Sequence, residues 1–156
     1  MTDAPHQLVG GWRLRSWASI ADDGSETQPM GDDPDGLLTY SASGTMVGIM
    51  GPSGRPRFST DDVTGGSLDE QAGAFATFIA YGGRYEIDGD MVTHHVETSL
   101  FPNWIGTAQR RRWALDESGR VLTLTSPPLV LRGATRIQRL AWERVDFGDG
   151  RARGSG

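Results

Sequence analysis

The sequence predicts an all-β protein, an antiparallel sandwich or barrel of eight strands with a single helix. Three observations carry that expectation. Glycine, 22 of 156 residues, falls in turn dipeptides: Asp23-Gly24, Asp35-Gly36, Ser43-Gly44, Asp88-Gly89 and Ser118-Gly119. Between the turns lie short runs rich in β-branched and aromatic residues, the mark of many short antiparallel strands. One segment only, after Ser67, breaks this pattern with helical spacing.

Taken in order, the strands are expected at 12–20, 36–41, 45–50, 82–87, 91–100, 107–115, 120–126 and 135–145. The stretch 51–66, with Pro52, Pro56, Gly65 and Gly66, reads as a loop. Ser67-Leu68-Asp69-Glu70 is a capping box, in which serine and glutamate satisfy first-turn N–H groups. Leu68, Ala72, Phe75, Ala76 and Ile79 then recur on one face, which predicts a helix over 68–80 whose apolar stripe covers one end of the β structure. Residues 1–147 read as one domain, and the tail from Gly148 reads as disordered.

Composition removes several chemistries. There is no cysteine, so disulfides, thiolate metal sites and cysteine nucleophiles are excluded. Lysine is absent too, all 15 basic residues being arginine, which excludes Schiff-base chemistry on a lysine amine. The net charge of −5 argues against a broad nucleic-acid footprint. No stretch approaches the roughly 20 apolar residues of a membrane span. The N-terminus shows neither a basic n-region nor an apolar h-region, so the expected location is cytoplasmic.

Register decides which side chains share a face. A tight turn at Asp88-Gly89 puts Tyr85, Ile87, Val92, His94, Val96, Thr98 and Leu100 on one face, and a shift of one residue at the turn keeps that assignment. The opposite face carries Arg84, Glu86, Met91, Thr93, His95, Glu97 and Ser99. The first set is the more apolar and should point inward, splitting the neighbouring histidines into His94 inside and His95 outside. Likewise Trp12, Leu14, Ala18 and Ile20 are expected inside from the first strand, with Trp12 as a plug at the closed end. Met46, Gly48 and Met50 are expected inside from the third strand, in competition with Val47 and Ile49. Gln109, Arg111, Trp113 and Leu115 share a face. Either Arg111 is a buried cation needing a partner or an anionic ligand, or the Arg110–Arg112 run is a solvated edge.

Several of these residues resemble a known family. Gly10-Gly11-Trp12 is similar to the Gly-x-Trp that opens lipocalin barrels. The runs Asp35–Gly44, Phe78–Tyr85, Val92–Trp104 and Leu140–Arg144 resemble the bacterial and fungal lipocalin-like domain family over about residues 8–145. The resemblance implies an eight-stranded up-and-down barrel with the helix over an opening and a cavity for a small, mostly apolar molecule. It does not imply one activity, since some related barrels act as cyclases or isomerases. The sequence differs from secreted lipocalins in lacking a signal peptide and disulfides, and in carrying its helix mid-chain.

The leading functional expectation is binding of a small hydrophobic or aromatic metabolite, with Tyr40, Met46, Met50, Phe58, Phe78, Tyr81, Phe101, Trp104, Arg111 and Trp113 as candidate ligand-binding residues. Phe58, in its Pro-rich loop, is either a cap on the cavity or part of a plain surface loop. The alternative is a cofactor-independent cyclase, isomerase or dehydratase of a polyketide- or terpenoid-type pathway. There His94 would shuttle a proton and Tyr85 would donate to an oxyanion. A third reading is an oligomeric interaction module with a filled core, and a homodimer is left open. No cofactor and no metal are expected: His95 and Glu97 lie two apart on the outer face, but His6 is the only other histidine.

Overall fold

The computed structural model describes residues 6–146; the expectation for the tail from Gly148 lies outside them. The strands are β1 (Gly10–Ile20), β2 (Glu26–Thr27), β3 (Pro34–Tyr40), β4 (Thr45–Pro52), β5 (Ile79–Asp88), β6 (Met91–Ser99), β7 (Ala108–Leu115), β8 (Val121–Thr125), β9 (Leu129–Leu131) and β10 (Ala134–Arg144). Eight of them, β1, β3, β4, β5, β6, β7, β8 and β10, pair antiparallel with their neighbours, and β10 returns to β1 to close a barrel. The short β2 and β9 are the additions to the expected set. They attach to β1 and β10 at one end, where they extend the wall beyond the eight-stranded ring.

Alternation along the strands fills the interior. Met46, Gly48 and Met50 are buried while Val47 and Ile49 face out, which settles the competition on β4. Val92, His94 and Val96 are buried on β6. Two bulges override the expected period. One between Leu14 and Ser16 reverses the face of β1, so that Trp17 and Ser19 are buried in place of Ala18 and Ile20. The other lies opposite Gly82-Gly83, where Gly83 pairs with Val96 but Gly82 with Thr98. The extra residue turns Thr98 and Leu100 outward, against expectation. Gly83 is required at that crossing, because a Cβ there would lie 1.9 Å from the His95 carbonyl oxygen.

Trp12 is fully buried at the end opposite β9, where its Nε1 donates to the Leu8 carbonyl at 3.0 Å. The Arg144 guanidinium lies over its ring at 4.2 Å and ties down the incoming chain through the Val9 carbonyl at 2.9 Å.

The helix α1 (Leu68–Ala76) starts at the expected capping box, with Glu70 also accepting from Ser59 of the preceding loop. It ends four residues early. From Ile79 onward the chain pairs with β4, and the β-branched and aromatic run Thr77–Tyr81 suits a strand better than a helix. The α1 residues do not reach the core: none is buried, and Leu68 is 84% and Phe75 49% exposed. The helix thus occupies the connection at the open end of the barrel without inserting its stripe there. No helix among the described residues is long and apolar enough to cross a membrane.

Candidate functional site

Inside the barrel, toward the end carrying β9, lies a cavity of about 80 Å³, several times what one water needs. The interior is therefore not filled. Trp17, Leu38, Met50, Leu124, Leu140 and Trp142 form most of its apolar wall. Ile79 and Trp104 stand near the mouth, with Leu129, Val130 and Leu131 of β9. The β9–β10 hairpin turns through Arg132 and Gly133, both at positive φ, as a two-residue turn that brings Leu131 opposite Ala134. That hairpin, and not the helix, supplies the cavity's outer wall.

Besides the Trp142 indole N–H, which is buried without a hydrogen-bond partner among the described residues, polar groups enter the wall at three places. Gln138 is the first: its Oε1 accepts from Trp17 Nε1 at 2.8 Å and its Nε2 donates to Ser19 Oγ at 3.0 Å, so each end of its amide has a partner. His94 is the second. It is 1% exposed, with Tyr40 Oη 2.7 Å from Nε2 and Tyr81 Oη 2.9 Å from Nδ1. Desolvation, reinforced by the nearby Arg111 charge, lowers its pKa to about 3, so the ring is neutral. Burial raises the pKa of both tyrosines, which stay protonated.

Hydrogen accounting gives this relay a direction. A neutral imidazole has one N–H and one acceptor nitrogen, so one tyrosine donates to the ring and the other accepts from it. Tyr40 Oη is buried and has no other partner among the described residues. If it accepted, its own proton would be stranded in the core, at a cost of about 1–3 kcal/mol. Tyr40 therefore donates to Nε2, Nδ1–H donates to Tyr81, and the Tyr81 hydroxyl proton is left free. Tyr81 lines the cavity and Tyr40 does not.

Arg111 is the third polar group. β7 alternates as expected, and Arg111 is half-buried on its inward face as part of the cavity wall. Its Nη1 donates to the Arg110 carbonyl at 2.8 Å.

The candidate residues thus divide. Met50, Tyr81, His94, Trp104 and Arg111 come together around the cavity. Tyr40 stands behind His94, and Met46 packs in the core. Tyr85 lies directly across the ladder from His94, yet its hydroxyl donates to the Ser41 carbonyl at 2.6 Å and it does not line the cavity. Phe58 and Phe78 lie in an outer groove with Phe75 and Leu100, so the Pro-rich loop packs against the helix and not over the cavity. Phe101 is half-exposed, edge-on to Trp104. Trp113 bonds the Gly89 carbonyl through Nε1 and meets His6 edge-on, away from the cavity. The wall residues that sequence reasoning missed include Trp17, hidden by the β1 bulge. Gln138, Leu140 and Trp142 were also missed, although their spacing of two on β10 marks a shared face.

The comparisons with known proteins agree with this architecture. The model of the lipocalin-like domain matches residues 9–145. The 4'-hydroxy-3'-methoxypropiophenone carrier protein ppsC of Aspergillus oryzae is 35% identical over 107 residues, 62% of this chain and 93% of the relative. The match spans all eight barrel strands, and on that ground the chain belongs to the lipocalin-like domain family.

Proposed function

We propose that the protein binds and carries a small, largely apolar aromatic molecule in the barrel cavity. The observation that carries this reading is the cavity itself: an aromatic and aliphatic wall with a few convergent polar groups is the usual form of a small-molecule site. The carrier function named for the Aspergillus oryzae relative supports it and points to an aryl ketone or similar phenolic compound. Carriage is favoured over acid–base catalysis because both ring nitrogens of His94 are occupied. A histidine whose pKa is held near 3 is also a weak base at neutral pH.

The test is a titration with 4'-hydroxy-3'-methoxypropiophenone, followed by intrinsic fluorescence and by analysis of the recovered compound. Trp17, Trp104 and Trp142 line the cavity, so carriage predicts saturable quenching at one ligand per chain and recovery of the compound unchanged. Binding with conversion of the compound would favour the cyclase or isomerase reading. No saturable change with this or related aryl ketones would remove both.

A further inference from the structure

We propose that the ligand of this cavity carries an oxyanion, a carboxylate or a phenolate, and that Arg111 pairs with it while the Tyr81 hydroxyl donates a second hydrogen bond. The inference deepens the carrier reading and rests on it.

Three observations support the pairing. First, the guanidinium has no protein counter-charge: among the described residues no carboxylate lies within ion-pair distance of Arg111, and it is the arginine of the cavity wall. Its hydrogen bond to the Arg110 carbonyl leaves most of its five N–H donors unmatched by protein acceptors. Second, the cavity wall contains no aspartate or glutamate, so its one formal charge is positive. Half-buried at the wall, the guanidinium fork matches a carboxylate or phenolate well. Third, the free polar hydrogens of the wall are donors. The relay through His94 leaves the Tyr81 proton unused, the buried Trp142 indole N–H has no hydrogen-bond partner among the described residues, and Gln138 Oε1 already accepts from Trp17. A wall that offers donors selects a ligand that offers acceptors. The Arg111 charge adds to the desolvation that disfavours a protonated His94 and opposes the burial that raises the Tyr81 pKa.

The probes are 4-methoxybenzoate and its neutral methyl ester, titrated at pH 7 against tryptophan fluorescence. An ion-paired hydrogen bond predicts that the acid binds on the order of tenfold to hundredfold more tightly than the ester. In Arg111→Met that ratio collapses toward one, in Arg111→Lys part of it is kept, and in Arg110→Met, on the outer face, it stays at the wild-type value. Thermal melts of the free variants establish that each is folded. 4-Nitrophenol separates the two oxyanions: a phenolate site lowers its apparent pKa on binding, read by its visible absorbance, and Arg111→Met abolishes the shift. The ester binding as tightly as the acid, with no 4-nitrophenol shift, would overturn the oxyanion pairing and leave the carrier reading standing. Failure of every probe to bind while 4'-hydroxy-3'-methoxypropiophenone quenches saturably would overturn the oxyanion pairing alone; failure of that compound as well would overturn both.

Discussion

Replacing Trp12 with alanine removes the largest side chain at the closed end of the barrel. The indole is fully buried, donates to the Leu8 carbonyl at 3.0 Å and carries the Arg144 guanidinium over its face at 4.2 Å. Deleting a buried tryptophan costs about 3–5 kcal/mol, and the stranded Leu8 carbonyl places Trp12→Ala toward the upper half of that range. Trp12→Phe keeps most of the packing and loses the N–H, for about 1–2 kcal/mol. With a urea m-value of about 2 kcal/mol/M, the alanine variant should unfold about 2 M earlier and the phenylalanine variant less than 1 M earlier. The assay is urea denaturation followed by far-ultraviolet circular dichroism, because the substitution itself removes a fluorophore. A double-mutant cycle with Arg144→Met should show a coupling of about 1 kcal/mol, the scale of a partly desolvated cation–π contact. An alanine variant with an unchanged midpoint would refute the placement of Trp12 as the plug.

Acid stability reports on His94. Its folded pKa of about 3 lies below the ordinary value of 6.5, so the unfolded chain takes up a proton there that the folded chain refuses. This contribution to stability is complete above about pH 6.5 and is lost as pH falls toward 3, at up to about 1.4 kcal/mol per unit. His94→Gln should flatten the slope of urea midpoint against pH between 6.5 and 4.5, and parallel slopes for the two proteins would count against a buried neutral ring. Gly83→Ala drives a Cβ to 1.9 Å from the His95 carbonyl oxygen and should cost about 3 kcal/mol, lowering the melting temperature by roughly 10 °C; an unaltered melt would mean the strands do not cross so closely there. Gln138→Leu strands the Trp17 N–H and removes the donor to Ser19, for about 2 kcal/mol, and a neutral result by chemical denaturation would show that water serves those groups instead.

The barrel was legible in the sequence because turn chemistry and alternation are local. Asp88-Gly89 pins the β5–β6 hairpin, and from it follow the inward His94 and outward His95 that the structure shows. What defeated the reading is what defeats any period-two count. A bulge inserts one residue and moves everything beyond it to the other face, which hid Trp17 and misplaced Thr98 and Leu100. The partners of His94 were illegible for a different reason. Tyr85 is its cross-strand neighbour, yet the hydrogen bonds go to Tyr40 and Tyr81, which reach His94 across the barrel interior and diagonally. Those directions depend on side-chain geometry that no strand register supplies. Helix initiation at Ser67 could be read from the capping box, whereas its end could not, because strand pairing with β4 claims Ile79 against the helical spacing. Whether Phe58 caps the cavity or belongs to a plain surface loop is open in the sequence; in the structure it packs beside Gly66, whose missing Cβ makes room for the ring.

A small aromatic molecule carried by the barrel would lie among Trp17, Trp104, Trp142, Tyr81 and Arg111. The most direct measurement is a crystal structure of the protein soaked with 4'-hydroxy-3'-methoxypropiophenone at a concentration set by its titration. The expected result is one molecule per chain inside the barrel, its ring against Trp142 and Leu140 and an oxygen within hydrogen-bond distance of Arg111 or Tyr81. A ligand-saturated crystal with that cavity empty, or with the compound bound only in the outer groove beside Phe58 and Phe75, would contradict it.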